Sequence, residues 1–245
     1  MVGQVGTIVL GFADTLMVGH HSVTELAAAS FVNTIMSIIL VFALGYSYGL
    51  TPIIGRLYGQ GNTEKNGAVV KHGLLAAATT SVILLAVLYL VYINIHRMGQ
   101  PEELLPLMRP YMIVNMISLP FACWFNTFKQ FFDGIGHTKT SMYIMIAGNI
   151  LNIGGNYLLI YGPGPMPELG LLGAGISTMA SRIIMFFAAA AIFLFTKKYK
   201  TYSSAMRNSR FSKELYRTID KQSWPVALQM GMESSAFALT GVMAG

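Results

Sequence analysis

Apolar residues along this chain fall into long runs separated by short polar stretches. The runs lie at about 1–19, 29–54, 68–95, 106–132, 141–161, 171–195 and 223–245. Each suits a helix crossing a hydrocarbon core, which takes roughly 20 residues. The pattern predicts an all-α integral membrane protein: a six-helix transmembrane bundle over 1–196, a cytoplasmic basic linker over 197–222, and one more helix over 223–245. Pro52, Pro120, Gly148, Gly154, Gly155 and Pro225 lie inside runs. In membrane helices such residues permit bends and close packing.

Composition agrees with this reading. Hydrophobic residues make up 54% of the 245 and charged residues only 11%, far below the quarter usual in a soluble domain. The charges also alternate. Thirteen basic residues fall in or at the edges of one set of connections: Arg56, Lys65 and Lys71; Lys129 and Lys139; then Lys197, Lys198, Lys200, Arg207, Arg210, Lys213, Arg217 and Lys221. The other set holds Arg97 and Arg109 alone, and Arg182 lies within a run. By the positive-inside rule the connections near 60, 135 and 210 face the cytoplasm, those near 22, 100 and 166 face outward, and the N-terminus starts inside. The net charge of +6 then reflects topology, and no nucleic-acid partner is expected.

Candidate chemistry begins with one carboxylate inside an apolar run, Asp14 in TIVLGFADTLMVGHH. A charge at such a depth is costly, and it is expected to be protonated, paired or bound to a cation. The fifth run carries Asn149, Asn152 and Asn156 on one helix face, and the sixth carries Thr178 and Arg182 one turn apart. At 1.5 Å per residue, Asp14, Asn156, Asn152 and Thr178 lie roughly 8–14 Å below the outer ends of their helices. Three helices therefore offer oxygen-bearing side chains at one level, a pocket for a proton or a small hard cation. The alternative for the asparagines is interhelical hydrogen bonding without ligand, and a purely structural Asp14 also remains open. Arg182 is expected to find backbone carbonyls or an acid. Glu233, in the seventh run, is a second intramembrane carboxylate.

Other signals are weak. Cys123 is the single cysteine, which excludes an internal disulfide. His20 and His21 have no third metal ligand near in sequence. GQGN at 59–62 lacks the Gly-Lys-Ser/Thr ending of a phosphate loop and reads as a turn. No hydrolase constellation is present, and neither enzymatic activity nor a cofactor is expected. Some of the sixteen methionines suit a tolerant binding cavity.

FADTLMVGH, LAAAS, GRLYGQGN, FFDGIGHTK, NILNIGGNYLLIYG, PELGLLGAG and ISTMASR, in this order, resemble the multidrug and toxic compound extrusion (MATE) transporters. The likeness runs through essentially the whole chain. It implies two six-helix lobes, of which this chain supplies the amino-terminal one and the first helix of a truncated carboxy-terminal one. It also implies antiport: export of small amphiphilic or cationic organic compounds against Na+ or H+, by a monomer in lipid of the inner (plasma) membrane.

On that resemblance Asp14 corresponds to the acid of the first helix that takes the coupling ion. Asn152, Asn156 and Thr178 correspond to its partners, with Asn149 and Arg182 supporting. Some relatives have Asp where this chain has Asn156, which leaves the choice of ion open. Glu233 corresponds to the acid of the second-lobe cation site in one branch. A lipid-linked precursor flippase of related fold would need a larger cationic cavity, whereas Arg182 is the lone deep cation. A non-transporting truncated product is the other alternative, since both ends look cut.

Overall fold

The structure is a computed structural model and describes residues 11, 14–163 and 167–244, with side chains through 233. Most of the first predicted run, residues 1–10, 12 and 13, lies outside the described residues. So do the outer-loop residues 164–166 and the side chains at the end of the seventh run.

Helix α1 covers 14–21 of the described residues. It is followed by α2 (Val23–Tyr48), α3 (Leu50–Gly59), α4 (Thr63–Asn94), α5 (Leu105–Gly134), α6 (Thr138–Tyr161), α7 (Gly170–Phe195), α8 (Lys200–Asn208) and α9 (Lys213–Ala244). Five stretches among the described residues are long and apolar enough to cross a membrane, namely Val23–Gly59, Thr63–Arg97, Glu102–Gly134, Thr138–Tyr161 and Gly170–Phe195. The protein is therefore a multi-pass, all-helical membrane protein.

Helix ends depart from the run boundaries in a consistent direction. The connection predicted near 22 is a single residue, Ser22, and α9 begins ten residues before the predicted start of its run. Hydropathy marks where the hydrocarbon ends, while a helix continues wherever its backbone hydrogen bonds are satisfied. The second run instead divides between Tyr48 and Leu50. Pro52 has no N–H to give the Tyr48 carbonyl four residues back, and its ring crowds that carbonyl. Within GQGN, Gly61 has φ +68° and Asn62 Oδ1 accepts from the Lys65 backbone N–H at 3.0 Å. The stretch is a turn whose last residue caps α4.

The chain forms two compact units. The first comprises Met1–Met36, Ile83–Phe121 and Met142–Met185; the second comprises Ser37–Val82, Ala122–Ser141 and Phe186–Gly245. In the first, α6 and α7 approach through small residues. A Cβ on Gly155 would lie 2.5 Å from Ser177 Oγ, and one on Gly173 would strike the Leu159 carbonyl. That proximity sets the fifth-run asparagines beside the start of α7.

The core of the second unit is aromatic. Phe131 meets Phe193 edge-on at 5.0 Å and Tyr202 at 5.3 Å between centroids. The basic linker is tied down in this unit. His72, fully buried, donates through Nδ1 to the Ala68 carbonyl at 2.8 Å and accepts at Nε2 from the Ser212 N–H at 2.8 Å. Tyr46 donates to Asp220 at 3.0 Å.

Many large apolar side chains remain outside. Val82 and Ile83 on α4, Ile150 on α6 and Phe187 on α7 are all about 60% exposed. Exposure of this kind on α4, α6 and α7 is what lipid contact requires.

Candidate functional site

The site lies in the first unit, where α1, α6 and α7 bring their polar side chains into contact. Asn156 Nδ2 donates to Asp14 Oδ1 at 2.5 Å. Asn152 sits one turn earlier on the same face of α6. With its amide nitrogen toward the acid, Asn152 donates to Asp14 Oδ1 at 2.9 Å, and its oxygen accepts from Thr178 Oγ1 at 3.1 Å. This orientation avoids opposing two acceptor oxygens across 2.9 Å. An ionised carboxylate accepts and does not donate, so the arrangement suits an Asp14 anion.

Backbone contacts fix the frame around these groups. Ser177 Oγ donates to the Asn152 carbonyl at 2.8 Å, across the α6–α7 approach. Tyr161 OH donates to the Met17 carbonyl at 2.9 Å, which holds α1 against α6. Asn152 and Asn156 are buried, while Asp14 and Thr178 are half-buried. Asn156 Oδ1 is buried and accepts no hydrogen bond among the described residues. Such an orphaned acceptor is unusual in a folded interior. It belongs to the amide whose nitrogen donates to Asp14, and an amide oxygen of this kind is chemically able to ligate a small hard cation.

A second polar layer includes residues the sequence reading did not single out. Tyr111 OH donates to Asn33 Oδ1 at 2.9 Å. Arg182 Nη1 donates to Ser118 Oγ at 2.6 Å, and Ser118 in turn donates to the Asn115 carbonyl at 2.7 Å. Asp14, Tyr111 and Arg182 interact electrostatically. Arg182 thus has a hydroxyl as a hydrogen-bond partner. Serine and tyrosine in apolar helices carry little signal, because they often bond their own backbone. Asn33 and Asn115 were the readable clues, each an amide within an apolar run.

Asn149 lies on the same helix as the cluster and is half-buried. Glu233 belongs to the second unit, where it is exposed and accepts from Gln229 Nε2 at 3.1 Å. Among the described residues no three His, Cys, Asp or Glu side chains group as a metal site. A sodium ion held by one carboxylate with amide and hydroxyl oxygens needs no such group.

The last residue of α1 forms a clasp in the first unit. His21 Nδ1 bonds Glu25 at 2.8 Å and Nε2 bonds Glu168 at 2.7 Å. The Glu168 hydrogen bond raises the His21 pKa above its usual 6.5, burial opposes that rise, and Glu25 adds to it.

The described residues thus form a multi-pass helical membrane protein with a carboxylate–amide–hydroxyl cluster between its helices. The MatE family model matches residues 1–158, and the chain belongs to the MATE family. It is 30% identical over 243 residues to "Multidrug resistance protein NorM" of Photobacterium profundum, covering 99% of this chain and 53% of that protein. Over 202 residues it is 30% identical to "Probable multidrug resistance protein NorM" of Photorhabdus laumondii subsp. laumondii, covering 82% of this chain and 45% of the relative. A crystal structure of MATE in the straight conformation superposes with a TM-score of 0.84 at 25% identity, over 99% of this chain and 53% of that one. The chain spans about half the length of the curated relatives it matches.

Proposed function

We propose that this chain acts as the ion-coupling lobe of a two-lobe secondary antiporter that exports amphiphilic and cationic organic compounds in exchange for Na+ or H+. The observation that carries the reading is Asp14, held by Asn152 and Asn156 beside the orphaned Asn156 oxygen. The relatives named for multidrug resistance supply the substrate class.

In this reading a proton or sodium ion entering from outside binds Asp14, with Asn156 Oδ1 and Thr178 Oγ1 as the neutral oxygens. Arrival of the ion lowers affinity for the organic substrate, which leaves outward. Ion release inside resets the lobe. Linkage requires substrate to weaken ion binding by the same factor as ion weakens substrate. The Asn152 amide suits either proton state. Its nitrogen serves an ionised Asp14, and its oxygen would accept from a protonated one.

The lobe lies in the inner membrane with its basic connections inside, and alternating access needs a second lobe to rock against it. Residues 197–222 link the lobes, and Glu233 would act only with groups from the second. The test is ethidium efflux from an efflux-deficient host under imposed Na+ or H+ gradients, with the transporter carrying this lobe. Gradient-driven efflux that Asp14→Asn abolishes, at equal membrane abundance, is the expected result. Efflux unchanged in Asp14→Asn would overturn the assignment of the coupling site.

A further inference from the structure

The second unit carries a groove unrelated to Asp14. It has a volume of about 550 Å³ and lies among α4, α5, α7 and α8. Its wall is apolar, formed chiefly by Leu75, Trp124, Phe128, Phe186 and Leu194. The Trp124 and Phe186 rings meet at 5.4 Å and make its deep end. Two cations stand at the other end, Lys71 on α4 and Arg207 on α8, and no carboxylate lines the groove. From Lys71 to Ala78, both lining residues, α4 rises about 10 Å. The groove is thus charged at one mouth and oily along its length.

Neither cation forms an ion pair with a carboxylate among the described residues. Lys71 Nζ donates to the Ser209 carbonyl at 2.5 Å, which leaves two of its three N–H groups. Arg207 is exposed and forms none of the salt bridges among the described residues. Its position is set by α8, which packs so tightly on Gly67 that a Cβ there would lie 2.5 Å from the Tyr202 carbonyl. Both mouth residues lie in or beside the connections assigned to the cytoplasmic side. Leu75 and Phe187, on the helices flanking the groove, are exposed as lipid-facing residues are.

We propose that this groove binds an anionic glycerophospholipid of the leaflet on the basic side, its phosphate against Lys71 and Arg207 and an acyl chain along Trp124 and Phe128. Arg presents a fork matched to phosphate oxygens and Lys adds a point charge. A cationic organic compound would meet two like charges at the mouth, so the groove is not a second drug site. The assignment depends on membrane insertion and on the orientation of the basic connections, and is independent of transport.

Trp124 reports occupancy directly. The full chain is reconstituted in phosphatidylcholine vesicles containing graded amounts of dibrominated phosphatidylglycerol or dibrominated phosphatidylcholine. Subtracting the signal of Trp124→Phe isolates quenching at the groove. Half-maximal quenching is expected at a mole fraction about tenfold lower for phosphatidylglycerol, given two cations near the headgroup. The double variant Lys71→Gln/Arg207→Gln should lose that preference and keep the phosphatidylcholine curve. Equal curves for the two lipids in the parent would overturn the proposal. So would a preference that survives the double variant, or a Trp124 that neither lipid quenches.

Discussion

Asn156 donates to Asp14 Oδ1 at 2.5 Å although 142 residues of chain separate them. Two helices distant in sequence are joined through the costliest group either contains. An ionised carboxylate among apolar helices is tolerated only with donors around it, and α6 supplies two from consecutive turns. The α6–α7 approach makes that supply possible, since it lets Thr178 orient Asn152 from behind.

That approach depends on a missing side chain. Gly155→Val puts branched carbons where Ser177 Oγ sits, 2.5 Å from an ideal Cβ, and forces α7 away. Overpacking of this kind costs about 1–3 kcal/mol. Thermal unfolding of purified Gly155→Val should begin at a lower temperature than the parent, and ion-coupled efflux should fall with it. Gly154→Ala is the control, because a Cβ at Gly154 meets nothing within 4 Å.

The His21 clasp should make stability depend on pH in one direction. Its two carboxylate partners raise the folded-state pKa of His21 above the ordinary 6.5. The clasp therefore stabilises fully below that ordinary value, and the contribution is lost as pH rises through the higher folded-state pKa. Thermal unfolding between about pH 5.5 and about pH 9 should show the parent losing its advantage over His21→Gln as pH rises. An advantage constant across that range would mean that the clasp is not charged.

His72 pins the linker through the Ser212 N–H at 2.8 Å and stacks on Phe211 at 5.4 Å between centroids. His72→Leu removes the acceptor and leaves a backbone donor unmatched, at a cost of about 1 kcal/mol. Limited trypsin digestion should cut faster after Arg210 and Lys213 in this variant, with the helical circular dichroism unchanged.

Much of this was legible in the sequence, for reasons that differ by residue. The long helices announced themselves because a bilayer demands continuous apolar length. Asp14, Asn152, Asn156 and Thr178 stood out as polar groups at one depth, and α1, α6 and α7 bring them into contact. Depth is linear in residue number along a helix, so a sequence reveals it. Which helices are neighbours depends on packing, and packing was carried by glycines whose purpose is invisible until the partner is seen. The Ser118 hydroxyl beneath Arg182 was hidden for the same reason. The anchoring of the linker was not legible, because His72 lies 140 residues from the Ser212 N–H that it accepts from. The His21–Glu25 pair, spaced one helical turn apart, could have been read, but Glu168 could not.

The most direct measurement is substrate-driven ion release. The purified transporter carrying this lobe is loaded with radioactive sodium at equilibrium, in lightly buffered solution with a pH indicator, and then given ethidium. Release of sodium or of protons on ethidium addition, absent in Asp14→Asn, is the result this account predicts. Equal release from the parent and Asp14→Asn would contradict it and put the coupling ion elsewhere.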